Sequence, residues 1–136
     1  MAGLSDYAEA ACLNALLRGI TLNAANVASL RLALYTSDPG DAGSGAEVQG
    51  SWYVRVPTGA FTAPAPSGSG AQAVSNINAV TFASVKDAAG TITHAGIIDA
   101  GSGGNLLFSN AMPSPKTLQI GDVLSFAPGA LIASLD

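Results

Sequence analysis

The sequence predicts a mainly β fold: an antiparallel β-sandwich or small barrel of about eight strands with one N-terminal α-helix. Three observations carry that expectation. From Thr91 to Leu135, short runs rich in Ile, Leu, Val, Phe and Thr alternate with Gly, Pro, Asn and Asp turn signals at nearly even spacing. Upstream, SLRLALY and SWYVRV alternate with a period of two, as strands do. Only residues 6–18 show helical spacing, which speaks against strands alternating with helices around a parallel sheet.

With 136 residues the chain fits one domain, residues 1–136, able to bury roughly two thirds of the surface its unfolded form exposes. Five Lys plus Arg against nine Asp plus Glu give a net charge of -4. Ser, Thr, Asn and Gly must therefore cover much of the exterior, and such a surface repels neighbours weakly. Without a cluster of cations there is nothing to displace counterions from phosphates, so nucleic acid is excluded as a partner. No apolar run reaches the roughly 20 residues needed to span a bilayer, so no membrane partner is expected. The start, MAGLSDYAEA, lacks the basic opening and apolar centre of a signal peptide, which predicts cytosolic synthesis followed by assembly.

Ser5 or Asp6 can cap the helix, Glu9 lies in its first turn, Arg18 in its last, and Gly19 suits a left-handed end. Leu13, Leu16, Leu17 and Ile20 recur at spacings of three and four, with Ala10 and Tyr7 extending the stripe, which predicts that this face buries within the chain. A second reading gives the small flank of Ala8, Ala11 and Ala15 to a neighbouring subunit. Cys12 is the only cysteine, so no intrachain disulfide and no four-ligand thiolate metal site can form. It reads as a small buried hydrophobe.

In SLRLALY, Leu30, Leu32 and Leu34 share one side while Arg31, Ala33 and Tyr35 share the other, the pattern of a half-buried strand. Residues 36–50, with Asp-Pro-Gly and further Gly, predict a long flexible surface loop. Its Asp38, Asp41 and Glu47 match no calcium-loop spacing and are read as turn-forming and solvating residues. SWYVRV predicts a strand with Trp52, Val54 and Val56 on one side, Trp52 anchoring the core. The Pro, Ser and Gly of residues 62–73 predict a second flexible segment. Val80 and Phe82 then share a strand face, and in TITHAGIID the residues Ile92, His94, Gly96 and Ile98 face one way, with Gly96 marking a bulge or close approach. GSGG at 101–104 is a hairpin turn. LLFSNA, a corner at MPSPK, TLQI, VLSFA and ALIASL complete the strands.

A catalytic reading would begin from His94 and Asp99. Neither a Gly-x-Ser-x-Gly elbow nor a His-x-x-x-His pair accompanies them, and no carboxylates pair on a readable face. No catalytic, cofactor-binding or metal-binding residue is assigned, and no cofactor is expected. Recognition of sugars would need clustered exposed aromatics; Tyr35, Trp52 and Tyr53 are scattered over predicted strands.

The succession ALYTSDPGDAGSGAEVQGSWYVR, THAGIIDAGSGGNLLF and PKTLQIGDVLSFAPGAL, after the opening GLSDYAEAACLNALLRG, resembles a family of small tailed-bacteriophage virion proteins commonly labelled phage tail fibre proteins. The resemblance runs over nearly the whole chain. It implies a non-enzymatic virion component made in the host cytoplasm, with no catalytic residues to carry over. Short length, the lack of an internal repeat and low charge point to a capsid decoration or cement protein on the major capsid protein. A fibre bound to tail or collar proteins, or a carbohydrate- or receptor-binding module, is the alternative. A homotrimer is expected, since capsid three-fold positions and fibres both call for one. The N-terminal residues, the 36–50 loop and the 62–73 stretch are the expected contact regions.

Overall fold

The computed structural model describes residues 3–24, 26–68 and 70–135. In chain order its elements are β1 (Gly3–Leu4), α1 (Asp6–Arg18), β2 (Arg31–Tyr35), β3 (Val56–Pro57), β4 (Ala65–Ser67), β5 (Ala71–Ser75), β6 (Val80–Thr81), β7 (Thr91–Ile98), β8 (Leu106–Thr117), β9 (Ser125–Phe126) and β10 (Ile132–Leu135). Every pairing is antiparallel. A five-stranded sheet runs β1-β8-β7-β2-β3, a three-stranded sheet β10-β5-β4, and β6 pairs with β9. The fold is therefore mainly β and sandwich-like, as the sequence predicts, and none of these sheets closes into a barrel.

β2 lies between β7 and β3 in the large sheet, and it is buried on both sides rather than half-buried. Leu32 and Leu34 point into the main core with Trp52, Val80, Phe82, Val85 and Ile92. Ala33 and Tyr35 point the other way, joining Ile98 and Leu106 in a second, smaller core. The second core exists because the 36–50 loop and the start of α1 fold over that face. The Thr36 amide donates to the Ala46 carbonyl and the Asp6 amide to Asp41, and Pro39 is buried, while Val48, whose amide donates to Leu34, joins the main core.

β7 departs from simple alternation. Ile92 lies in the main core with Ala95 and Ile97 packed against it, while Ile98 lies in the second core. The register against β8 slips between Ile92 and His94, and that irregularity puts Ile92 and Ile98 on opposite faces instead of one. Gly96 does mark a close approach: a Cβ there would lie 2.8 Å from Leu106 Cδ1 and 3.1 Å from Tyr35 Cε2.

Three further expectations are corrected. SWYVRV is strand only at Val56–Pro57; Trp52 is a core anchor as read, but Val54 is exposed because residues 51–55 pass through a turn and irregular backbone. The 62–73 stretch is not a free arm. It supplies β4 and the first part of β5, a hairpin whose inner strand also pairs with β10, so small residues suffice where the backbone ladder supplies the binding. Ser69 of that stretch lies outside the described residues. MPSPK is no corner either, since β8 runs through it for 12 residues. The exposed half of β8 carries Pro113, Pro115 and Lys116, residues that deny or discourage a further strand.

One buried amide ties the small sheet to the rest. Asn76 Nδ2 donates to the carbonyls of Asn78 (2.8 Å) and Ala127 (3.0 Å), and its Oδ1 accepts from the Leu131 amide (2.9 Å). Replacing Asn76 by Ala would leave buried backbone groups without partners. Urea unfolding should show N76A less stable by about 2–3 kcal/mol, with the midpoint lowered and the slope unchanged.

Candidate interaction surfaces

The one ion pair between opposite side-chain charges of Arg and Glu among the described residues is Arg55 with Glu47. It is bidentate: Arg55 Nε donates to Glu47 Oε1 (2.7 Å) and Nη2 to Oε2 (2.8 Å). Tyr53 Oη donates to the same Oε1 (2.8 Å) and accepts from the Leu34 amide (3.1 Å). Arg55 Nη1 reaches on to the carbonyls of Ala100 (3.0 Å) and Gly103 (2.7 Å). One carboxylate thus joins the 36–50 loop, β2 and the Gly-rich hairpin between β7 and β8. Glu47 is therefore a structural anchor, not the solvating loop residue its composition suggests.

Burial alone would push the Glu47 carboxyl up, but hydrogen bonds from Arg55 and Tyr53, with the Arg55 charge, outweigh it and hold the group below its ordinary 4.5. Burial, assisted by Glu47, pushes the phenols of Tyr53 and Tyr35 up. Hydrogen bonding to Glu47 raises Arg55. Beside this network lies a polar cleft of about 330 Å³, bordered by Asp6, Tyr7, Tyr35, Asp41, Glu47, Arg55 and Asn105 among others.

The remaining residues singled out from sequence do not converge. Asp38 accepts from the Gly40 amide and stands 3.8 Å from His94 Nε2, while Asp41 lies at the mouth of the polar cleft. Among the described residues no three His, Cys, Asp or Glu side chains gather as metal ligands would. His94 bonds Thr93 through Nδ1 (2.9 Å), whereas Asp99 holds the backbone and side chain of Asn105. They share no site. Trp52 and Tyr53 meet edge to face at 5.8 Å and Tyr53 stacks on Phe82 at 6.0 Å, so these aromatics belong to the core and not to a sugar platform.

Two surfaces do stand out. α1 forms as predicted, capped by Ser5, whose side chain accepts from the Ala8 amide, and ended by Gly19 at φ 65°. Its orientation, however, is the reverse of the expected one. Ala8 is buried and Ala11, Cys12 and Ala15 are half-buried, whereas Leu16 and Leu17 are 81% and 78% exposed and Leu13 is 58% exposed. The small flank lets the helix approach its own sheet closely, held by Ser5 Oγ to the Leu106 carbonyl and the Ser5 amide to Leu107. The leucine face is left outward, and Ile20, Leu22 and Val27 beyond the helix are exposed as well.

The second surface is an apolar groove of about 560 Å³ between the large sheet and the small one, floored by Ala95, Ile97, Phe108 and Met112 and walled by Ala71, Leu131, Ile132 and Ser134. No charged residue lines it. Among the described residues no helix is long and apolar enough to cross a membrane.

The β body carries few charges and leaves a leucine-faced helix and an apolar groove uncovered. The chain belongs to the family described as Podophage GP4 fiber I protein gp80, whose model matches residues 3–134, and it is thus a fibre-type structural protein of a podophage. A comparison with curated proteins finds no match.

The Glu47 network generates a pH test. A carboxyl held below its unfolded value contributes stability above pH 4.5 that is lost as the pH falls through the lower folded value. Thermal unfolding from pH 7 down to pH 2 should therefore show a loss in the wild type that is much reduced in Arg55→Met. At pH 7 that variant should be less stable by about 2 kcal/mol, short of the 3–5 kcal/mol of a fully buried broken pair because Glu47 retains some solvent access.

Proposed function

We propose that this chain is a non-enzymatic structural subunit on the exterior of a short-tailed phage virion, built into a fibre that engages tail or collar proteins, and that it works as a homotrimer. The observation that carries the reading is the uncovered leucine face of α1 in a member of a fibre family. An apolar face of that kind on a chain with 14 charged residues in 136 gains little from water and is covered in an assembly. Nothing in this role draws on the scattered Ser, His and Asp side chains.

The chain's short length without an internal repeat favours a second reading, decoration of the head through contacts with the major capsid protein. A cement protein binds the assembled lattice and not the free subunit, so many modest apolar and backbone contacts are enough to stabilise a particle by mass action. Of the expected contact regions, Met1 and Ala2 at the N-terminus lie outside the described residues, and the 62–73 stretch serves the sheet. α1 takes their place as the leading contact element.

Adding the purified protein to particles that lack it and locating the new density by cryo-electron microscopy separates these readings. Density at the tail or collar is the expected outcome. Density spread over the head lattice would replace the fibre role with decoration, and no added density anywhere would sink both.

A further inference from the structure

We propose that the polar cleft enclosed by the start of α1, the 36–50 loop and the hairpin after β7 binds a neutral saccharide. The inference goes beyond the fibre reading and rests on the cleft alone.

The observation that points to a ligand is a hydroxyl without a partner. Tyr35 closes β2 with only 3% of its surface exposed, and it borders the cleft. Its oxygen lies close enough to Glu47 and Arg55 to feel both charges, yet those two groups bond each other and Tyr53, and the Tyr35 hydroxyl bonds no described residue. The partnerless side-chain atoms sealed from solvent are Trp52 Nε1 and Asp87 Oδ1; the Tyr35 hydroxyl is not one of them, so it meets the open space of the cleft. A nearly buried hydroxyl left unbonded is costly, and a guest able to donate and accept relieves it.

The groups around it say what that guest is. Arg55 gives Nε to Glu47, Nη1 to Ala100 and Gly103, and Nη2 to Glu47, which leaves one N–H of Nη2 unspent. Asn105 turns its Nδ2 to Asp99, and its Oδ1 accepts from no described residue. Asp6 and Asp41 border the cleft and form no ion pair among the described residues. Tyr7, 42% exposed, adds an aromatic ring. Sugar hydroxyls donate to carboxylates and accept from N–H and O–H groups, while the C–H face of a pyranose packs on an aromatic ring.

Other guests fit less well. Two unpaired carboxylates repel phosphate and other anions. A cationic amine would answer the carboxylates but meet the Arg55 guanidinium as a like charge. At about 330 Å³ the cleft lies at the small end of the roughly 300–1,000 Å³ of ligand sites, which suits one or two sugar rings. Its walls come from separate segments that the Glu47–Arg55 pair already holds together, so little ordering is left for binding to supply.

The test is a titration of the isotope-labelled full chain followed by backbone amide NMR. The probes are D-glucose, D-galactose, D-mannose and N-acetyl-D-glucosamine, each taken through the millimolar range, with sodium phosphate, calcium chloride and N-acetyl-lysine amide as comparisons. At least one sugar should move the amides of Tyr7, Asp41 and Asn105 with a dissociation constant of about 1–10 mM, as befits a ligand of roughly a dozen heavy atoms. Tyr35→Phe should weaken that sugar about fivefold, and Asp41→Asn at least about tenfold. Because the Tyr35 hydroxyl bonds nothing in the protein, Tyr35→Phe should unfold at the wild-type temperature, which separates a lost ligand contact from a damaged fold.

No sugar-dependent shift at the cleft would overturn the inference, as would a Tyr35→Phe chain that binds as the wild type does. Shifts produced by calcium or by the lysine amide, and not by a sugar, would make the cleft a cation site instead. None of these outcomes depends on where the protein sits on the particle, so this inference and the fibre reading fail separately.

Discussion

The Glu47 carboxylate is the point on which three otherwise separate pieces of the chain converge. Without it, Arg55 would lose its bidentate partner and Tyr53 its acceptor, and the hairpin that follows β7 would lose the guanidinium bridging it to the 36–50 loop. Covering the outer face of β2 depends on that loop staying down, and the second core depends on the cover. In a chain with so few charges, one well-made ion pair does what several weak surface pairs could not, because it is largely withdrawn from water and geometrically fixed.

The helix divides its small and its large side chains between two different surroundings. Small residues bring it against its own sheet, and large ones face away. The stability of the single chain therefore asks little of the leucines, and their chemistry is free to be used elsewhere. The apolar groove has a similar character: Met112 on its floor is adaptable, and its walls come from a small sheet held by backbone pairing and by Asn76.

Much of the architecture is legible in the residues. Ser5, Glu9, Arg18 and Gly19 mark the helix ends, alternation marks β2, and the Gly-rich turn before Leu106 marks the hairpin. What escapes is the direction in which faces point. Periodicity locates an apolar stripe but does not say whether its cover comes from the same chain, so Leu13, Leu16 and Leu17 read as core. Local composition likewise hides pairing partners distant in sequence: Ala71 to Ser75 are bland residues, yet they lie between two strands, one of them nearly sixty residues away. Glu47 was visible as an acid in a loop; the signal that could have singled it out was Tyr53 and Arg55 shortly after it, sharing one side of a predicted strand.

Pro113, Pro115 and Lys116 on the open length of β8 carry a consequence for manufacture. A protein with exposed apolar faces and little charge to keep copies apart risks stacking strand upon strand into aggregates. Two missing amide donors and a buried-averse ammonium make that route unproductive. The open length of β8 thus offers a poor template for a further strand, and the apolar surfaces that stay exposed lie in side chains and not in unpaired backbone.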